Sequence, residues 1–263
     1  MIAEVIAIGA ELLQGVIQDT NSTYISRTLL GIGVPVQYRT TVGDNRRAIE
    51  EALDTARRRS QLVVCTGGLG PTPDDITIET AAAFFGLELR MDEATADKVR
   101  RLYKMIGVPF SESSLRQAMV PAGADLVVNP KGTAPGVRID SGGATFVFLP
   151  GVPREMKAML LDAVSPAVAK AGGEVYMSRS LRVFGVSESN IQSMIPKEIA
   201  TAENPSFSFL PHKFELELRL TAHGNSREEC TELLEDNCRV IYENAGEYIY
   251  GEGEDDLPAV AYR

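Results

Sequence analysis

The sequence is poor in the residues that most readily build metal centres, covalent staples and membrane anchors. It has no tryptophan, two histidines and three cysteines in 263 residues. Cys65, Cys230 and Cys238 form no short Cys-x-x-Cys pair, so a disulfide framework is not expected and a reducing, cytoplasmic setting is. With only His212 and His223 to add nitrogen ligands, a zinc centre is not expected, and both histidines read as structural or exposed. Cys65 ends an apolar run and reads as a core residue; Cys230 and Cys238 are spaced two turns apart on one helix.

Long hydrophobic runs are missing too. No stretch approaches the ~20 apolar residues of a spanning helix. The opening MIAEVIAIGAELL has no basic segment before its short apolar run, so no signal peptide is expected. Positive charge is in deficit: 26 Lys and Arg against 36 Asp and Glu leave a net charge of −10. Nucleic acid demands a positive footprint, so neither nucleic acid nor membrane is an expected partner. A small phosphate ligand stays possible through a local site or a metal.

What is present is a strand–helix rhythm. Ala3–Ile8 is almost wholly apolar, as in a strand covered on both faces. Helices are expected at Asn21–Leu30 and Asn45–Arg59, the second with basic residues in its last turn, where they complement the helix dipole. Further strands are expected at Val34–Thr41, Leu62–Cys65, Asp125–Val128, Gly136–Ile139 and Thr145–Leu149. Helices are expected at Thr77–Phe85, Glu93–Ile106 and Arg154–Ala171. Such alternation argues for an α/β fold, a mostly parallel sheet with helices on both faces.

After a hinge at Gly172-Gly173 the texture changes. Ser180–Phe184, Ser187–Ile199, Ser206–Leu210, Glu215–Ala222, Arg227–Glu243 and Tyr248–Tyr250 read as β-α-β-β-α-β, a small α+β domain. The expected boundaries are 1–172 and 173–252, with 253–263 as linker or tail.

The stretch LVVCTGGLGPTPDDITIETAAAFFG, residues 62–86, runs from a strand through a glycine turn towards a helix. It fits neither the P-loop nor the dinucleotide fingerprint. It nevertheless leaves the carboxyl end of a strand in an open α/β sheet, where such folds bind ligands, and glycines with a helix N-terminus suit an anion. Asp74 and Asp75 would repel one. Structurally, Thr72 as N-cap, Pro73 as first helical residue and Asp75 as third make a capping box. Functionally, a hard cation held by carboxylates would bridge them to phosphate, with Asp75 and Glu79 sharing a helix face.

Other segments fall at strand ends on the same sheet edge. They are GAELLQGVIQDTNS with Glu11, Asp19 and Asn21; VGDN with Asp44; NPKGTAPG with Lys131; and FLPGVPREM, a second strand–glycine turn–helix passage. Capping accounts equally for Asp19 and Asp44, and a lone Lys131 commonly sits exposed in a loop.

In this order and spacing, these five motifs resemble the competence/damage-inducible CinA family and, more broadly, the molybdopterin-binding domain of molybdenum-cofactor biosynthesis proteins, over about residues 3–170. The second region, with LRVFGVSES, is similar to the KH-type domain of CinA proteins but lacks a GxxG loop, so RNA binding does not follow. The resemblance implies a three-layer α/β/α molybdopterin-binding-like domain followed by a KH-like domain. It implies a metal-dependent pyrophosphatase, using Mg2+, Mn2+ or Co2+, that splits ADP-ribose or a related nucleoside diphosphate compound into AMP and ribose 5-phosphate. It also implies a homodimer. The further domain that deamidates nicotinamide mononucleotide in many members is expected to be absent, since it would begin where Arg263 stands.

Carried over onto matching motif positions, the resemblance makes Asp44, Asp74 and Asp75 the metal and catalytic candidates and puts Lys131 in the same pocket as a catalytic cation; Glu79, a metal candidate only by its helical spacing from Asp75, could equally pair with a basic neighbour. Thr66, Gly67, Gly68, Gly70 and Thr72 would contact phosphate. Thr133, Gly136, Pro150 and Gly151 would line the same pocket, and Glu11 and Asn21 would hold the nucleoside or ribose. One departure is Gly-Ala-Glu at 9–11, where relatives have Gly-Asp-Glu or Gly-Thr-Glu. The alternative reading is a pterin-phosphate binding protein with little hydrolysis; a third is an assembly scaffold with a vestigial pocket.

Overall fold

A computed structural model describes residues 1–107, 109–171, 175–211, 215–253 and 255. Chain contacts divide it into two units, Met1–Leu29 with Val34–Gly173 and Leu30–Gly33 with Glu174–Arg263.

In chain order the first unit comprises β1 (Ala3–Ile8), α1 (Ala10–Leu13), α2 (Thr20–Gly31), β2 (Val36–Val42), α3 (Arg46–Arg59), β3 (Leu62–Thr66) and α4 (Thr77–Phe85). There follow β4 (Leu89–Met91), α5 (Glu93–Ile106), a 3-10 helix at Glu112–Ala118, β5 (Met119–Pro121), β6 (Asp125–Val127), β7 (Gly136–Ser141), β8 (Ala144–Leu149) and α6 (Pro153–Ala171). Six strands form one sheet in the order β2-β1-β3-β8-β7-β6. Its first four strands are parallel, and β7 and β6 continue it antiparallel. Every residue of β1, β3 and β8 is buried, so helices must cover both faces, as an all-apolar parallel strand requires.

On one face Ile6, Ile8, Val63, Cys65, Phe146 and Phe148 pack with Ile49, Leu53 and Ala56 of α3 and Ala81 of α4. The alternate strand residues, Val5, Ala7, Val64, Val147 and Leu149, are buried as well. Local chemistry sets the helix ends. Asn45 caps α3 by accepting the Ala48 N–H at 3.1 Å, Asp92 caps α5 through Thr95 at 2.8 Å, and Gly86 ends α4 in the left-handed region. The separate two-stranded sheet of β4 and β5 has no clear pattern in the sequence, because each strand is only three residues long.

The second unit holds β9 (Val175–Val183), α7 (Glu188–Met194), α8 (Lys197–Ala200), β10 (Ser206–Pro211), β11 (Leu216–Gly224), α9 (Arg227–Ala245) and β12 (Ile249–Glu252). Its antiparallel sheet, ordered β10-β11-β9-β12, realises the expected β-α-β-β-α-β order. Two expectations change. The helix expected over Ser187–Ile199 is two helices, because Pro196 holds Ile195 extended and has no N–H to continue the ladder. The strand expected from Ser180 begins at Val175.

Cys230 and Cys238 are buried on one face of α9, and burial pushes the Cys238 thiol up to about 11. On the sheet, Glu217 accepts from Arg219 at 2.5 Å and pairs with Arg182 at 3.4 Å, while Glu252 holds Arg179. Those arginines are engaged by carboxylates of the same unit. His212, the Gly172-Gly173 hinge and nearly all of the expected tail lie outside the described residues. No described helix is long and apolar enough to cross a membrane.

Candidate functional site

Strand order places the site. From β1 the chain moves one way to β2 and then returns past β1 to β3, so the order reverses between β1 and β3. At such a switch point the loops leaving the two carboxyl ends part and open a crevice. A cleft of about 410 Å3 lies there, lined by Ile8 and Gly9 at the end of β1, Thr66–Pro71 at the end of β3 and Pro150–Pro153 after β8.

The walls touch closely. Gly67 has φ +114, and a Cβ there would collide with the Ile8 carbonyl oxygen; one on Gly151 would press on the Gly67 Cα at 3.3 Å. Asn21, buried in the first turn of α2, donates to Thr66 Oγ1 at 3.1 Å and to the Gly151 carbonyl at 2.8 Å. Thr66 donates in turn to the Pro150 carbonyl at 2.9 Å. Three loops far apart in sequence are thereby tied together. Asn21 Oδ1 has no partner among the described residues. The N–H groups of Gly68, Leu69 and Gly70 likewise bond to no described residue, whereas that of Gly67 donates to Leu149 at 3.1 Å.

Of the residues expected at the site, Glu11, Asn21, Asp44, Thr66, Gly67, Gly68, Gly70, Asp74, Asp75, Thr133, Pro150 and Gly151 line the cleft. Four others do not. Lys131 is exposed in its loop, and its backbone N–H donates to Asn129 Oδ1. Gly136 is buried in β7, where a Cβ would meet Met159 at 2.9 Å, so it is a packing glycine. Thr72 is exposed. Glu79 is paired with Arg46 at 2.6 Å and Arg116 at 3.6 Å.

The capping box is also corrected. The helix starts at Thr77 with Ile76 as its unbonded cap, so residues 71–75 form a turn ahead of it. Asp75 closes that turn, accepting the Thr72 N–H at 2.8 Å and hydroxyl at 2.5 Å. The premise that Asp75 and Glu79 share a helix face therefore fails. Asp74 stays exposed in the same turn, where hydrogen bonding within the turn holds its carboxyl below the usual carboxylate range. Asp19 does cap α2, through the Ser22 N–H at 2.8 Å. Asp44 leaves the capping of α3 to Asn45 and accepts the Ala10 N–H at 2.9 Å instead.

Two wall residues escaped the sequence reading. Glu155, in the first turn of α6, accepts from Asn129 at 2.7 Å; Gln117 accepts the Thr133 hydroxyl at 2.6 Å. The signal for Glu155 was its place just after the FLPGVP turn. Gln117 had none.

This architecture, a switch-point cleft walled by glycine loops, defines a class, and comparison agrees. A family model described as "Probable molybdopterin binding domain" matches residues 4–170, so the chain belongs to that domain family. The "Damage-inducible protein CinA KH domain" matches residues 178–251, and the two domains in this order make the chain a member of the CinA family.

A "CinA-like protein" of Dictyoglomus turgidum is 37% identical over 260 residues, covering 99% of this chain and 63% of the relative. A "Putative competence-damage inducible protein" of Bacillus mycoides is 38% identical, covering 100% of this chain and 64% of its own length. The chain thus spans less than two thirds of these curated relatives. A crystal structure of the protein CinA, of unknown function, from Thermoplasma acidophilum matches with a TM-score of 0.57 at 38% identity, over 64% of this chain and 97% of that one.

Proposed function

We propose that the cleft binds the diphosphate of a nucleoside diphosphate compound, with ADP-ribose as reference substrate, and hydrolyses it to AMP and ribose 5-phosphate with a divalent cation. One observation carries this reading: the cleft combines anion-favouring backbone with acidic side chains. Gly68–Gly70 offer free N–H groups, and α2 and α6 turn their N-termini to it. Yet Glu11, Asp19, Asp44, Asp74, Asp75 and Glu155 line it, with no Lys, Arg or His among the described lining residues. A bare polyanion would be repelled; a diphosphate accompanied by a hard cation would not.

The donor set fits such a cation. Asp44 and Asp75 would be the carboxylates to hold it, whereas Glu79 is committed to its arginines. Among the described residues no group of three or more His, Cys, Asp or Glu is placed to hold a metal ion. That is compatible with Mg2+, which commonly takes one or two carboxylates and completes its shell with substrate phosphates and water. When bound, the cation would supply Lewis-acid neutralisation of the phosphate charge. The protein's own part is positioning. The loop N–H groups fix the phosphates, and Asn21 Oδ1, an acceptor whose amide hydrogens are both used, suits a sugar hydroxyl rather than a phosphate. The Thr66–Asn21–Gly151 bonds keep the walls in register.

A second reading, binding of a phosphorylated pterin with little hydrolysis, is favoured by the domain family itself. The two separate on incubation of the purified chain with ADP-ribose, with and without Mg2+, Mn2+ or Co2+, followed by chromatography for AMP. No AMP with any of the three metals sinks the hydrolase reading. Asp75→Asn keeps an acceptor for Thr72 but removes the charge. Turnover should fall about a hundredfold while the melting temperature moves by no more than about 2 °C. A variant that melts much lower and keeps its turnover would make Asp75 a turn-closing residue only.

A further inference from the structure

The carboxylates that line the cleft differ in how they are held. Asp19 is spent on the Ser22 N–H at 2.8 Å and on Arg39 at 3.6 Å. Asp44 and Asp75 are the cation's candidates, and Asp74 is exposed. Glu11 folds back over Gly9, and no hydrogen bond among the described residues orients it. Glu155 is different: Asn129 Nδ2 fixes its Oε2 at 2.7 Å from another loop, while its Oε1 has no partner among the described residues. Asn129 is itself held from every side. It is 2% exposed, it also donates to the Ala134 carbonyl at 2.9 Å, its Oδ1 accepts the Lys131 N–H at 3.0 Å, and its own carbonyl accepts the Lys98 ammonium. The loop makes room as well. A Cβ on Gly132 would fall on both carboxylate oxygens of Glu155, and Gly132 is not in the left-handed region, so this glycine serves the carboxylate and not the turn.

We propose that Glu155 is the general base of the hydrolysis, with Asn129 and Gly132 as its positioning residues, which rests on the reading above. A base needs one oxygen oriented by a third group and another free to take a proton, and Glu155 has both. Topology separates it from the cation's carboxylates: Asp44 and Asp75 follow β2 and β3, whereas Glu155 follows β8. In the step, a water oxygen attacks one phosphorus of the diphosphate and Glu155 Oε1 takes the water's proton. The bond from that phosphorus to the bridging oxygen breaks, and the bridging oxygen leaves with the electron pair on the second phosphate.

Glu155→Gln keeps an acceptor for Asn129 and removes the base. With ADP-ribose and Mg2+, its kcat should fall on the order of a hundredfold while KM stays within about threefold of wild type. Isothermal titration with the α,β-methylene analogue of ADP-ribose, which cannot be cleaved, should give a Kd within about threefold as well. Gly132→Ala displaces the carboxylate by about 1 Å, which should also lower kcat on the order of a hundredfold. Placed on top of Glu155→Gln it should change kcat by less than about twofold, because a misplaced base costs nothing once the base is gone. Losses that multiply would show that Gly132 does not act through Glu155. A Glu155→Gln variant that loses less than about tenfold in kcat, or as much in analogue affinity as in turnover, overturns the assignment and leaves hydrolysis standing. If Glu155→Gln melts more than about 5 °C low, Gly132→Ala decides alone, by whether kcat falls with KM unmoved. Wild type that yields no AMP with Mg2+, Mn2+ or Co2+ overturns the hydrolase reading and the base with it.

Discussion

Replacing Gly67 by alanine should cost about 2–6 kcal/mol and abolish ligand binding in the cleft. Two effects add. The residue has φ +114, outside the region an L side chain readily adopts, which costs about 1–3 kcal/mol. The new methyl would also fall on the Ile8 carbonyl oxygen, a backbone atom of the central strand β1 that no rotamer change can move. Overpacking of that kind adds roughly 1–3 kcal/mol. The expected fall in melting temperature is on the order of 10 °C. Ligand binding fails because β1 and β3 can then relax only by parting at the switch point. Gly86→Ala is the control: its φ is +68 and nothing lies within 4 Å of a Cβ, so only the left-handed penalty of about 1–2 kcal/mol applies. If the two variants melt alike, close approach to Ile8 is not what holds the cleft together.

The second large effect lies at the other side of β1. Glu4 is wholly buried, and it is met by Arg59 Nε at 2.9 Å and Nη2 at 2.6 Å and by the Thr40 hydroxyl at 2.7 Å. The guanidinium also stacks 3.9 Å over the Tyr38 ring. Arg59→Met would leave a buried carboxylate with a single neutral donor, at a cost of about 3–5 kcal/mol. The double variant Glu4→Leu/Arg59→Met removes both charges and should recover most of that loss. Urea titration of the four proteins measures the cycle. A double variant no more stable than Arg59→Met alone would mean that the charge pair contributes more than it costs to desolvate.

Both features show where reading the sequence stopped. The strand–helix order was legible because AEVIAI and LVVC are apolar beyond what a one-sided strand tolerates, and because Asn45, Asp92 and Gly86 carry cap chemistry in their side chains or in their lack of one. Most of the cleft was legible for a related reason: parallel strands put their following loops on one edge, so motifs after β1, β2, β3 and β8 had to converge.

What could not be read were facts of distance. Arg59 ends a helix, where a basic residue normally complements the dipole, and nothing local says that it reaches back to residue 4. Lys131 sits in a loop whose motif belongs to the site while its own side chain does not line it. Asp75 satisfied the spacing of a capping box, but the chain spends Thr72–Asp75 on a turn and starts its helix two residues later. Gln117 comes from a 3-10 helix that no periodicity announces.

The bonds from Asn21 and Thr66 to the Pro150–Gly151 turn have a meaning in time as well. Thr66 and Pro150 are 84 residues apart. At about 5–20 residues per second, a ribosome takes on the order of 4–17 s to travel from one to the other. Through that interval the glycine loop and most of its carboxylates exist, but the wall that joins them does not. A nascent chain therefore carries half a cleft, and the bonds that close it can form only once residues beyond Gly151 have emerged.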